Sequence, residues 1–218
     1  MSIAAVTRLN SIRAQLFEQT AAFWTDAEIY GYLSDAEYEL ASEANCTQVV
    51  DTSITTVSGT QEYAIPATIM RIQRLTWSTV KMKAIDLTQL DSIFYPIYGG
   101  ITSQGNPFYY YIYANNIGLY PVPASSATVQ IYGMKRPTAV SSTQQNFTIP
   151  DELIPYLDDY ALYRCYLKDQ DGKAQSHLGI WNSNKQAAKA AWSDDRFFDQ
   201  YLTPKDNWES FTTDLGIA

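Results

Sequence analysis

The chain has 218 residues, 46% of them hydrophobic, enough to bury a core in one domain or in one domain carrying a large insertion. Its 15 Lys and Arg stand against 23 Asp and Glu, for a net charge of −8 and an isoelectric point of about 4.6. That balance argues against a grip on nucleic acid or on an anionic membrane surface, because both need clustered cations.

Residues 3–20 set Ile3, Val6, Leu9, Ile12, Leu16 and Phe17 at close to a helical period and predict a helix ending near Thr20. Thr25 followed three residues later by Glu28 is a capping box. Behind it Ile29, Leu33, Ala36 and Leu40 share one face of a second helix reaching about Asn45. Glu28, Asp35, Glu37, Glu39 and Glu43 read as its solvated side. From Cys46 the period changes. Strands are expected over 47–57, 61–66 and 70–77, with a turn at Ser58-Gly59-Thr60, and residues 80–83 pair back as a short edge. Arg71, Arg74, Lys81 and Lys83 make this the most basic part of the chain. Charges that guard a strand edge account for them better than a nucleic-acid patch does.

Residues 85–91 suit one or two helical turns, and 94–106, with Pro96, Gly99, Gly100 and Gly105, a loop. The clearest β signal runs from Pro107 to Pro137. It holds Tyr109-Tyr110-Tyr111, a turn at Ala114-Asn115-Asn116, then Ile117 to Pro123 and Thr128 to Gly133, which predicts three strands. Residues 138–145 form a Ser/Thr/Gln linker. Pro150 suits a first helical position and Pro155 interrupts it, so the main helix is expected from Pro155 to about Asp171-Gly172. Another helix follows over 173–192, with Ala174, Leu178, Trp181, Ala188 and Trp192 along one side. Residues 193–218 have little period but hold Phe197, Phe198, Tyr201, Trp208, Phe211 and Leu215. Large aromatics there need a cover, either this domain or another subunit or partner.

The expected fold is α+β. Two N-terminal and two C-terminal helices make a four-helix bundle-like core (1–46 plus 147–192). An antiparallel β-rich domain is inserted between them (47–146), and an extended C-terminal tail follows (193–218).

The chemistry-bearing residues do not converge. His177 is the only histidine, and a lone histidine on a helix is a structural or surface residue before it is a ligand. Cys46 and Cys165 are too few for a disulfide framework and read as free, buried thiols in a reducing compartment. The pairs Asp158-Asp159 and Asp194-Asp195 read as solvated or capping, because adjacent helical residues point about 100° apart. No enzyme, cofactor or metal is expected. Residues 1–10 lack the apolar run of a secretory signal and no run is long enough to cross a bilayer, so a soluble protein made in a cytoplasm is expected. The 17 tyrosines suit the wet edges of a β-rich core or an interaction surface. Tyr109, Tyr111 and Tyr113 are the candidates for the latter.

Four segments in order carry a resemblance: Phe23-Trp24-Thr25-Asp26-Ala27-Glu28-Ile29, Ile117-Gly118-Leu119-Tyr120-Pro121-Val122-Pro123, the strand to Arg136-Pro137, and Ile149-Pro150-Asp151-Glu152-Leu153. Together they make the chain resemble the head-to-tail connector (adaptor, or head-completion) proteins of tailed bacteriophages, over most of residues 1–192. The resemblance implies a non-enzymatic structural protein of the virion neck, made in the host cytoplasm. It implies a ring, typically of twelve copies, that joins the portal protein to a tail or nozzle protein. DNA would pass through the channel without specific binding. It also implies that a terminal segment reaches onto the portal, for which Phe197, Phe198, Tyr201, Trp208, Phe211 and Leu215 are the candidates. The rival reading is a carbohydrate-binding module in which the Tyr-rich strands, Trp77 and Trp181 stack on sugars.

Overall fold

The computed structural model describes residues 4–93, 103–141 and 146–192, the side chains of 91–93 excepted. Within them the chain is mixed α+β, with five helices and largely antiparallel sheets.

Helix α1 (Ala5–Gln15) ends five residues short of the expected Thr20. No proline or glycine stops it. Leu16 caps it, and Phe17 turns into the left-handed region at φ 56°. The Phe17 amide then donates to the Ala14 carbonyl and the Glu18 amide to that of Arg13, the two bonds of a Schellman ending. Helix α2 (Asp26–Ala44) starts on the capping box in both directions and stops at left-handed Asn45. Trp24 and Ile29, on either side of the cap, are both buried and fix the entry angle of the chain.

Ten strands follow: β1 (Gln48–Thr55), β2 (Glu62–Ala64), β3 (Ile69–Trp77), β4 (Val80–Lys81), β5 (Lys83–Ala84), β6 (Gln104–Gly105), β7 (Tyr109–Tyr113), β8 (Asn116–Tyr120), β9 (Val122–Pro123) and β10 (Thr128–Lys135). Helix α3 (Leu87–Ile93) lies between β5 and β6. One sheet has the order β1-β10-β3-β4, a second β2-β8-β7-β5, and β6 pairs with β9. The stretch 107–137 therefore gives four strands rather than three. Residues 104–105, expected to be loop, form a strand. Two short pairs, β5 with β7 and β6 with β9, are parallel. The expected edge 80–83 divides: β4 pairs with β3, whereas Lys83 and Ala84 join the other sheet.

Long β10 is the spine of the first sheet, bonded to β1 on one side and β3 on the other, with the register shifting at Tyr132/Gly133. At that shift a Cβ on residue 133 would stand 2.2 Å from the Arg71 carbonyl oxygen, so only glycine fits. The facing strands enclose one core of Ile54, Ile69, Leu75, Trp77, Met82, Tyr110, Ile117, Leu119, Val129 and Ile131.

After the return of the chain, a 3-10 turn (Ile154–Tyr156) leads into α4 (Leu157–Lys168) and then α5 (Lys173–Trp192). Pro155 thus sits in a tight turn before the helix, which ends at Lys168, three residues short of Asp171. Helices α1, α2, α4 and α5 share a second core that also takes in Val140, Phe147 and Ile149. Helices α2 and α4 touch each other. Both α1 and α5 pack on that pair, while α1 and α5 share no extensive contact.

Candidate functional site

The tyrosine strand β7 shows why the expected docking residues do not share one environment. It pairs with β8 through the two-residue turn Ala114–Asn115, both at positive φ, as a hairpin turn requires. Alternation sends Tyr110 into the main β core. Tyr111 points to the other face, yet it is buried too, at 5% exposure, in a small cluster with Leu90 and Tyr120. Its hydroxyl donates to Glu62 Oε1 at 3.0 Å. Its ring lies on Gly118 directly across the ladder, where a Cβ would come within 2.0 Å of it. Tyr109 is half-buried, and Tyr113, at the hairpin tip, is 60% exposed. Of the three tyrosines, Tyr113 is the one presented to solvent. The exposed Ile112 stands beside it.

The other candidates, Phe197, Phe198, Tyr201, Trp208, Phe211 and Leu215, lie outside the described residues, as do Asp194 and Asp195. Trp77 and Trp181 are both buried. Trp77 donates from Nε1 to Thr56 Oγ1 at 3.1 Å and Trp181 packs on Tyr160. Neither is exposed enough to stack on a sugar, which takes the two tryptophans out of the carbohydrate reading.

Several polar residues read as solvated are structural. Glu37 has no exposed surface. Its Oε1 accepts from the backbone amides of Thr148 and Ile149, tying α2 to the returning chain. Among the described residues Oε2 has no hydrogen-bond partner, and burial pushes the carboxyl up from its usual range despite those amides. Asp158 is likewise buried, because α1 crosses α4 there. It accepts from Arg8 through both oxygens, with Ser11 Oγ at 3.3 Å, and burial raises its pKa against the pull of Arg8. Asp159 faces α5 instead, accepting from Asn184 at 3.0 Å with His177 Nδ1 at 3.2 Å. Lys185 on α5 binds Glu39 and Glu43. Arg74 lies over the Tyr132 ring, 4.0 Å from its centroid.

Cys46 and Cys165 are free and buried, and desolvation pushes their thiols up to about 11 and about 12, which suppresses the nucleophilic thiolate. His177 stacks on Tyr166 and has Asp159 beside it. Among the described residues no group of three His, Cys, Asp or Glu is placed to hold a metal ion, and no helix is long and apolar enough to cross a membrane. A cleft of about 330 Å³ opens where the helices meet the β block, between Cys46–Val49 and Phe147–Asp151, with Lys135 at its edge. Cys46, Thr47, Lys135 and Asp151 line it, but burial keeps the Cys46 thiol protonated and the Thr47 hydroxyl donates to the Lys135 carbonyl.

The loop between α1 and α2 is the surface feature that the helical period concealed. Phe17 is 94% exposed and Phe23 49%. The backbone that carries them is fastened at both ends of the loop. Glu18 Oε1 accepts from the amides of Ala22, Phe23 and Trp24. The Arg13 guanidinium donates to the Trp24 carbonyl at 2.9 Å and to Asp26. Trp24 Nε1 donates to the Cys165 carbonyl, anchoring the loop on α4. Lys168 donates to the Phe23 carbonyl and to Glu28, with its ammonium 4.8 Å from the Phe23 ring centroid. Read as the last apolar positions of a helix, Leu16 and Phe17 look alike. The pair divides only once the chain turns left-handed between them and Glu18.

These features define a protein whose described residues offer surfaces for contact: a rigid aromatic loop, a hairpin tip, and helices clamped to a β block. A family model described as SU10 adaptor protein matches residues 3–203, and the chain belongs to that family of phage head–tail adaptors. Its members are structural proteins of the virion. No curated protein matches the sequence.

Proposed function

We propose that the chain is one subunit of a ring in the virion neck that joins the portal to tail components and encloses the channel through which DNA passes. The observation that carries this reading is the family match over residues 3–203, which spans both helix pairs and the β block between them. The helical parts, 1–46 and 147–192, form a four-helix bundle-like body, and 47–146 is a domain inserted into it. The shared helical core, separate from that of the strands, supports this division. A net charge of −8 suits a channel wall along which DNA must slide rather than bind. The segment 193–218, with Phe197, Phe198, Tyr201, Trp208, Phe211 and Leu215, reaches onto the portal. Tyr113 and the half-buried Tyr109 serve a tail-side or inter-subunit contact, with Tyr111 holding the hairpin that carries them.

Native mass spectrometry of the full chain, alone and mixed with its portal protein, tests the reading. A closed oligomer on the portal is expected, with twelve copies the expected count. A chain that stays monomeric and leaves the portal unbound refutes it.

A further inference from the structure

The loop between α1 and α2 combines three properties that rarely coincide. Its aromatic side chains are exposed. Its backbone is held rigid by a dedicated set of polar groups: Arg13, Glu18 and Lys168 are all engaged with loop backbone. And Phe17 occupies a left-handed position, which costs a side chain with a Cβ about 1–2 kcal/mol and where glycine is the usual residue. A solvent-facing phenylalanine gains nothing there in the isolated chain. A rigid, projecting aromatic loses little entropy on docking, which is how interface anchors behave.

Charge identifies the occupant. A chain of net charge −8 repels its own copies, so copies meet most cheaply where their surfaces are neutral. The loop surface is such a place: residues 19–23, Gln-Thr-Ala-Ala-Phe, are all exposed and uncharged. The nearby acids, Glu18, Asp26 and Glu28, are engaged with loop amides, Arg13 and Lys168. The outward face of α5 is a second surface without acids, with Ser176, Gly179, Ile180, Ser183, Ala187 and Ala190 all exposed and the exposed Lys173 and Lys189 elsewhere on the helix. Most of these side chains are small, so a projecting ring can approach the helix closely around Ile180. The α1–α2 loop and the outward face of α5 are different surfaces of the chain. A contact between the α1 end of one copy and α5 of the next is therefore head-to-tail, the kind that propagates and closes into a ring.

We propose that Phe17 and Phe23 of one copy seat on the outer face of α5 of the neighbouring copy and form the contact that closes the ring. This rests on the ring reading above and names the surfaces that make it. Phe17 is the anchor and Phe23 its support, and α1–α2 loop and α5 alternate around the ring.

Disulfide trapping in the full chain tests it. Phe17 and Ser183 are both exposed, whereas the native Cys46 and Cys165 are buried. The doubly substituted Phe17→Cys/Ser183→Cys protein, assembled on its portal and then oxidised, is expected to give a ladder of covalent oligomers. Each single substitution is expected to give none. Separately, Phe17→Glu is expected to weaken self-association at least tenfold while leaving the thermal midpoint in place. If the wild type forms a ring but the double variant gives no ladder, the contact lies elsewhere and the ring reading survives without this proposal. A dimer from Phe17→Cys alone means the loops pair with each other, which also overturns it. Wild-type rings persisting in Phe17→Glu overturn it as well. A wild type that stays monomeric with and without portal removes both readings together.

Discussion

Replacing Gly118 with alanine tests how the tyrosine strand is held. The added methyl would stand 2.0–2.4 Å from three ring carbons of Tyr111, so the ring must leave its place. That ring is buried and fastened through its hydroxyl to Glu62. Overpacking of a filled site costs about 1–3 kcal/mol, and loss of a hydrogen bond to a carboxylate adds about 1–2 kcal/mol. Gly118→Ala should therefore destabilise the protein by about 2–5 kcal/mol, a fall in thermal midpoint of roughly 5–15 °C for a chain of this size. The control is the same substitution in a Tyr111→Ala background. There the methyl enters vacated space and should cost close to nothing, giving a coupling energy of about 2 kcal/mol or more in the cycle. Urea denaturation of the four proteins measures it. Equal costs of Gly118→Ala in both backgrounds would refute the argument, because the penalty would then come from the backbone and not from Tyr111.

Other expectations follow from the clamps on α2. Glu37→Ala leaves the amides of Thr148 and Ile149 without their acceptor and should cost about 2–4 kcal/mol in chemical denaturation. Because the folded carboxyl of Glu37 titrates above its usual 4.5, its contribution is complete below pH 4.5 and shrinks as pH rises through the folded value. The stability difference between wild type and Glu37→Gln should fall over that window, and a flat difference excludes the linkage. Glu28 behaves oppositely. The hydrogen bond from Lys168, with the Thr25 amide next, lowers it to about 2, so its contribution is present above pH 4.5 and lost as pH falls toward 2. Lys168→Met should flatten the acid limb of the melting profile. Gly31 lies in α2 with open space around its missing Cβ, so Gly31→Ala should raise stability by about 1 kcal/mol through helix propensity alone.

What was readable in the sequence was local. The Thr25–Glu28 box and the spacing of Ile29, Leu33, Ala36 and Leu40 identify α2 because cap and stripe are written within twenty residues. The β block was legible for the same reason, through its β-branched and aromatic runs. Pairings of two residues, such as β6 with β9, leave no comparable trace. Glu37 and Asp158 looked solvated because their partners, Thr148 and Arg8, are far away in the chain, and no period reveals a contact across 111 or 150 residues. Phe17 was hidden by its own hydrophobicity: an apolar residue in register with a helix reads as core, and nothing in the residues around it signals a left-handed turn. Tyr111 seemed a surface residue until α3 and Gly118 supplied the pocket for its ring.

The bond from Glu37 to Thr148 and Ile149 also sets an order of events. As the chain is made, α1 and α2 emerge first, but the amides that Glu37 needs follow 111 residues later, on the order of ten seconds at usual synthesis rates. Until then its carboxylate remains charged and hydrated, and the face of α2 destined for the interior has no α4 to meet. The helical core cannot close before the β block has been made and its ends brought together. A truncated chain therefore lacks the finished α1–α2–α4 junction, and an adaptor built this way withholds its assembled surfaces until the last helices have arrived.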